Sequence, residues 1–471
     1  MQSEKQISHS LLSISSIDGR HYPDSKPLQQ CLSEFAYHKY RSKALIEYLK
    51  YICNHSDIPF ASPLDSSQQT TLDSLVSQFS LADAISINNL DRYGVGSTPP
   101  IHHDLKAVEY FVKKHIQDQN IIELIHIGLT SEDINNLAQS YMFRQYNQEH
   151  LVPAIKQFGS QLVSLIDETK ALAMLSRTHG QPATPTTFGK EFANYLHRIT
   201  VQLQKLQSFQ FQVKFSGAVG NHNAMQFAFP SLDWMQVSEE FVQSQGFEFT
   251  HFATQINLHD NLSEYLGLIA SLNNILCSLC QNTWSYISNQ YFIQANIAGE
   301  VGSSTMPHKI NPWRLEVAEG LTRKSTQQIQ GFMQALSHSR FQRDLSDHEV
   351  LRAIPIALAD TFIAISHLSQ EFSRLKPNNQ SLQSDLKEFP VVMLEAYQTY
   401  LRVQGYIQPY ELFKEFSRGC NPTLSQIHAF VSALKIKDQD KQYLLNLKPE
   451  TYLGYAQSLA QKSIQQFNQI K

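Results

Sequence analysis

None of the 18 prolines in this 471-residue chain falls between Ser231 and Met306, and none falls between Trp313 and Ile354. Proline removes a helical hydrogen bond and clashes with the preceding turn, so intervals this long without it favour long helices. Glycine agrees: 18 residues of 471 is well under the usual share of about 7%. The apolar residues set the period. From Leu151 they recur at Ile155, Phe158, Leu162 and Ile166; from Leu262 they recur at Leu266, Ile269, Leu272, Leu276 and Leu279. Steps of three and four put each series on one helical face. Tyr265, Ile275 and Trp284 lie outside the second stripe, so that helix is expected to be buried all round at the centre of a bundle. No alternating strand pattern is sustained over any length. The expected fold is all-α.

The chain reads as three helical parts: an N-terminal segment over 1–120, a long-helix core over 121–372 and a smaller C-terminal part over 373–471. The clearest loop signal is "LKPNNQSLQSD", with Pro377 and two asparagines. The 38 basic and 42 acidic residues leave a net charge of −4, which gives no electrostatic footprint for nucleic acid. The opening "MQSEKQISHSLLSISSIDGR" has no basic start followed by an apolar run, so no secretory signal is expected. No uninterrupted apolar run reaches about 18 residues, so no membrane span is expected either. The five cysteines are few and odd in number, which fits a reducing cytoplasm better than a disulfide framework. Cys277 and Cys280 form a CxxC inside an apolar helical run, with no second pair to complete a zinc site, and read as two small core residues.

Four polar islands interrupt this background. They are "IHHDLKAVEY" from Ile101, "HIGLTSEDINN" from His126, "LSRTHGQPATPTT" from Leu175, and the stretch 299–320, "GEVGSSTMPHKINPWRLEVAEG". Each singly has a plain structural reading: "TSED" is a helix-capping sequence, "HGQPATP" a turn, and His102 and His103 surface residues. Together they bring His103, His179, Ser303, Ser304 and Lys309 with several amides, the side-chain types needed to abstract a proton beside a carboxylate. Metal chemistry is not expected. His102 and His103 are adjacent and point apart, and no HxxxH or HExxH spacing occurs. No GxGxxG or GxxxxGK[ST] supports a nucleotide cofactor, and none is expected.

"GSSTMPHKINP" closely resembles the signature loop of the fumarase/aspartase superfamily. "SRTHGQPATPTTFGKE", "TSEDINN", "HDLKAVEYF", "GAVGNHNA", "TQI" at Thr254–Ile256 and "QRDLSD" narrow the resemblance to the adenylosuccinate lyase family over nearly the whole chain. It implies an all-helical, three-domain homotetramer whose central long helices are shared by four subunits. It also implies active sites that draw on three chains. The implied reaction is β-elimination of fumarate from adenylosuccinate, giving AMP, and from the succinylated carboxamide ribotide of purine biosynthesis. By the family pattern Ser303 is the general base and His179 the general acid. Lys309 stabilises developing charge, and His103 assists with Glu316 as an orienting partner. Thr130, Ser131 and Gln255 hold the succinyl carboxylates, joined by Ser304, Met306 and Asn311 of the loop. Arg20, His21, His102, Asp104, Arg343, His348 and Arg352 fall at the remaining substrate positions.

The nucleotide end departs from that pattern. "DGRHY" places His21 where the family has tyrosine. Ile101-His102 precede His103-Asp104 in place of Thr-Asn or Thr-Arg. Val317 follows Glu316, and His348-Glu349 replace a hydroxyl pair. A glutamate near a dianionic phosphate is repulsive, and His348 compensates only if protonated. Two alternatives therefore stand beside the first expectation: a sister lyase that releases fumarate from another N-succinyl compound, and a non-catalytic helical tetramer.

Overall fold

The computed structural model describes residues 10–297, 299, 302 and 304–470. The chain divides into two compact units. One comprises Met1–Ala154, Lys205–Asn274 and Leu321–Ile363; the other comprises Ile155–Gln204, Ile275–Gly320 and Ala364–Lys471.

In the first unit helix α1 (Glu34–Asn54) is capped by Ser33, whose hydroxyl accepts from the Ala36 N–H at 3.2 Å. It buries Leu45, Ile46, Leu49 and Ile52 completely. Helix α2 (Asp104–Lys113) starts at His103, whose Nδ1 accepts from the Lys106 N–H at 3.2 Å. Helix α3 (Ser131–Gln145) begins at the "TSED" sequence, and a single π turn carries it into α4 (Val152–Thr169), which from Ile155 onward belongs to the second unit. The residues read as the inner face of α4 are buried: Leu151, Ile155, Phe158, Leu162 and Ile166 are at most 1% exposed.

The second unit holds a hairpin of β1 (Ala173–Thr178) and β2 (Gln181–Thr187), followed by α5 (Phe188–Gln207). Three further long helices contribute residues to both units: α6 (Asp260–Ser288), α7 (Trp313–Leu336) and α8 (Ser346–Phe372). The C-terminal helices close on a core of Met393, Tyr397, Leu401, Phe413, Ile427, Val431 and Leu444.

The molecule is helical, as expected, apart from the β1–β2 hairpin, whose burial does not alternate along either strand, and two smaller strand pairs. Gln212–Val213 (β3) pairs in parallel with Glu248–Phe249 (β4), and Phe292–Gln294 (β5) pairs antiparallel with Leu375–Pro377 (β6). Strands of two or three residues are too short to show a period of two, so no sequence pattern announces them. "LKPNNQSLQSD" is strand β6 and then a helix (Asn379–Glu388) capped by Asn378, rather than an open loop. Helix α6 buries Tyr265 and Ile275 beside its main stripe, but Trp284 is 46% exposed, so within one chain it is not covered all round. Cys280 is buried in α6 and Cys277 partly so, and both are free thiols. Helix α8 is long and apolar enough to cross a membrane by length and composition, but it is a mostly buried helix whose Asp360 and Glu371 lie fully inside the structure.

Candidate active site

In the first unit the turn before α3 is held from below. The Thr130 N–H donates to Asp133 Oδ2 at 2.8 Å. Asp133 also accepts from the Ser216 N–H at 2.9 Å and the Gly217 N–H at 3.1 Å, and pairs with Lys214 Nζ at 2.7 Å. Both charged groups are fully buried. Lys214 Nζ spends another proton on the Gly217 carbonyl at 2.6 Å, and the Asn136 amide bridges the Lys214 N–H and C=O, each at 2.9 Å. This network joins the "TSEDINN" island to "GAVGNHNA". Gln255 extends it, donating from Nε2 to the Ala218 carbonyl at 3.1 Å while its N–H donates to Gln342 O at 3.1 Å. Thr130, Ser131 and Gln255 thus hang from one buried framework.

Asp104, a candidate substrate contact, is engaged by two arginines. Its Oδ2 lies 2.9 Å from Arg41 and 2.9 Å from Arg352. Arg41 is fully buried, stacked 3.6 Å over the Tyr37 ring and donating from Nε to Asn135 at 2.9 Å. Arg352 also reaches Glu34 at 2.6 Å. Burial alone would raise the Asp104 pKa, but the adjacent Arg41 guanidinium, the Leu105 N–H and Arg352 hold it down at about 2. Arg343 is likewise committed, 3.0 Å from Asp347 and 3.6 Å from the buried Glu132, with His259 3.1 Å from Asp347 on its other side. His348 is half-buried; burial first, then the Arg352 guanidinium, lower its pKa below the ordinary value. His348 compensates for Glu349 only if protonated, and the lowered pKa works against that charge at neutral pH. Burial lowers His21 in the same way, while Tyr22 points inward and is buried. Arg20, His102 and His103 are exposed, and His102 adopts a left-handed backbone at φ +52°.

In the second unit His179 sits at the tip of the β1–β2 hairpin. Thr178 pairs with Gln181, leaving His179 (φ +52°) and Gly180 (φ +74°) as a two-residue turn. Two successive positive φ angles are the type I′ arrangement that matches strand twist, and glycine supplies the second without steric cost. The turn presents the imidazole outward, and the strand next to the tip is held by Arg177, whose Nη2 donates to both Asp385 carboxylate oxygens at 2.8 and 2.7 Å.

The 299–320 island runs from β5 to α7. Ser303 lies outside the described residues; Ser304, Met306 and Lys309 are exposed. A Cβ on Gly302 would overlap the Lys309 carbonyl, so this position requires glycine. Asn311 donates its amide to the Gly302 carbonyl, so its N–H side serves the loop itself. Glu316 accepts from Trp284 Nε1 at 3.2 Å.

Polar islands of this composition, mounted on the ends of long apolar helices, match the comparisons with known proteins. A family profile described as "Lyase" matches residues 34–331, and one described as "Adenylosuccinate lyase C-terminal" matches residues 339–453. Proteins named adenylosuccinate lyase are similar over nearly their full lengths. The one from Haemophilus influenzae is 37% identical over 96% of this chain and 98% of its own. That of Legionella pneumophila strain Corby is 39% identical over 95% and 98%, and that of Escherichia coli K12 is 36% identical over 95% and 97%.

The chain belongs to the adenylosuccinate lyase family.

More distant solved structures share the fold. A fumarate lyase from Mesorhizobium sp. BNC1 has a TM-score of 0.73 at 15% identity, covering 94% of this chain and 97% of its own. A 3-carboxy-cis,cis-muconate lactonizing enzyme from Pseudomonas putida has a TM-score of 0.71 at 16% identity, with the same coverage.

Within this adenylosuccinate lyase family fold, sequence reasoning passed over the supports. Asp133 looks like an ordinary capping acid, and only the structure joins it to Lys214. Arg41 and Glu34 lie on a helix that also carries Lys39, Lys43, Glu47 and Lys50, so nothing local singles them out. The His-Gly turn was the one available signal for the hairpin, because that pair accepts two positive φ values.

Proposed function

We propose that this chain is a carbon–nitrogen lyase that removes fumarate from adenylosuccinate, giving AMP, and acts also on the succinylated carboxamide ribotide. The observation that carries this reading is the near-full-length similarity to adenylosuccinate lyases of a chain that presents His179 at an outward turn and Lys309 on an exposed loop. Ser303 takes the proton from the carbon beside a succinyl carboxylate. The electron pair left on that carbon forms the fumarate double bond as the C–N bond breaks, and His179 protonates the departing nitrogen. A serine does this only where its own proton is withdrawn by its surroundings. Lys309 and loop N–H groups face the carboxylate as charge accumulates on it, which lowers the barrier. Thr130, Ser131 and Gln255 hold the succinyl carboxylates, and His103 with Glu316 supports the acid. The glycine-rich loop closes over bound substrate and excludes water.

The same reading makes the enzyme a cytoplasmic homotetramer with shared sites and a three-domain chain divided near 120 and 372. It acts on a small molecule, binds no nucleic acid and needs neither metal nor cofactor.

A second reading, a sister lyase acting on another N-succinyl compound, is favoured by one observation. Arg343 and Arg352, two of the three arginines at the substrate positions, are both already paired with carboxylates. Fumarate release from adenylosuccinate, followed by absorbance, separates the two. Turnover by the parent that is lost in Ser303→Ala and His179→Ala supports the first reading. No release by folded parent protein overturns it and moves the search to other N-succinyl amines.

A further inference from the structure

The stems of the 295–311 loop meet at one buried ion pair that no sequence motif contains. Glu371 and Arg374, at the end of α8 and just beyond it, lie 3.0 Å apart and are 0% and 4% exposed. On the entering side, Gln294 Nε2 donates to Glu371 Oε1 at 3.0 Å, and the Ala295 N–H donates to the Arg374 carbonyl at 2.9 Å. On the leaving side, the Arg374 guanidinium donates to the Asn311 carbonyl at 2.9 Å. Asn311 in turn donates its amide to the Gly302 carbonyl, and Gly302 immediately precedes Ser303. All these groups belong to the second unit.

We propose that Arg374, held by Glu371, is a positioning residue for elimination: it clamps both stems of the loop and, through Asn311, sets the backbone beside Ser303. This rests on the reading of Ser303 as the base. The physical case is the shape of the guanidinium. It is planar and offers donors in several directions at once, so it can pair with Glu371 and still bond a backbone carbonyl; a lysine ammonium has no such fork. The pair is buried, so water does not replace a lost contact. Gly302 leaves the loop little slack, since its Cα already packs against the Lys309 carbonyl. A displacement at Asn311 is therefore passed to the residue that precedes the base. Misplacement of reacting groups by about 1 Å costs on the order of 100-fold in rate.

The test is Arg374→Lys, read by kcat, KM, melting temperature and hydrogen exchange of peptides spanning the loop. The charge pair with Glu371 survives in this variant, but the fork to Asn311 does not. The expected result is a kcat lowered about 10- to 100-fold, KM within about twofold, and faster exchange confined to the loop. Unchanged kcat and unchanged exchange would overturn the proposal. Should Arg374→Lys not fold, Glu371→Gln/Arg374→Met removes both buried charges together. That double variant is expected to fold with low kcat, and recovery of parental kcat would reduce the pair to a structural role and overturn the proposal. The exchange readout needs no turnover. If the parent releases no fumarate, the assigned reaction fails, while loop exchange still decides whether Arg374 clamps the loop.

Discussion

A histidine contributes to anion binding according to whether it carries a proton, and the surroundings of His348 set that balance. Burial and the Arg352 guanidinium lower its pKa, with Asp104 and Glu349 pulling only partly the other way. The imidazole is then neutral at pH 7 and gains charge only below its ordinary range. His348→Gln is expected to leave KM for adenylosuccinate within about twofold at pH 8, with the gap from the parent widening as pH falls toward 5. A tenfold rise already at pH 8 would show that the substrate recharges the ring. Glu349 is exposed, and like charges about 4 Å apart in water repel by about 1 kcal/mol. Glu349→Gln is therefore expected to lower KM by up to about fivefold if a phosphate lies beside it; an unchanged KM would place the phosphate elsewhere. His38 shows the same physics as stability. Burial lowers its pKa to about 4, against the opposing pull of Glu34. As pH falls below 6.5 the unfolded chain takes up a proton that the folded chain refuses, so stability falls until the folded pKa is reached and is then constant. At pH 5 the loss relative to pH 7 is about 2 kcal/mol. His38→Asn is expected to recover about that much against the parent at pH 5, measured by denaturant unfolding at both pH values; equal pH slopes would reassign the acid lability.

Among the elements, the long helices were legible and their supports were not. A helix repeats its apolar residues every three or four positions, so a series such as Ile155, Phe158, Leu162 and Ile166 states its own inner face, and the structure buries every member. The His179 turn has two residues, too few for any period, so the sequence shows a turn but not the hairpin around it; its content is conformational, in two positive φ angles. That makes it testable. Gly180→Ala forces an L side chain to φ +74° at a cost of about 1–2 kcal/mol. The hairpin tip is expected to rearrange, and if His179 is the acid proposed above, protonating the leaving group without holding the ground state, kcat falls with KM nearly unchanged. A parental kcat would show that the turn does not set the acid. Asp133 and Lys214 were hidden for another reason: they are far apart in sequence, and each has an adequate local explanation. Breaking a buried pair by removing one partner costs about 3–5 kcal/mol. Asp133→Asn keeps the shape and half the hydrogen bonds, so it is expected to fold with a lowered melting temperature and raised KM, as Thr130 loses its anchor.

On the scale of the whole molecule, a single chain leaves apolar side chains where water would meet them. Phe227, Phe252 and Phe341 are each about nine-tenths exposed, and Phe341 is also held at φ +52°. Apolar residues scattered singly on a surface are ordinary; the homotetramer proposed from the family resemblance instead predicts a site divided between subunits. The proposed site has a matching division. Its carboxylate-holding residues Thr130, Ser131 and Gln255 belong to one compact unit, and His179 and Lys309 belong to the other. If the sites are shared between subunits, two inactive variants should repair each other. His179→Ala and Gln255→Glu are each expected to be inactive alone. Mixed, dissociated with mild denaturant and reassembled, they form tetramers in which some sites receive an unaltered His179 from one chain and an unaltered Gln255 from another. Random assortment restores up to about a quarter of parental activity. Sites built within single chains would stay inactive, because every chain carries one of the two lesions. Recovery should also require exchange: mixing the intact tetramers without dissociation is expected to restore nothing, so the difference between the two protocols isolates subunit sharing from any trace activity of either variant.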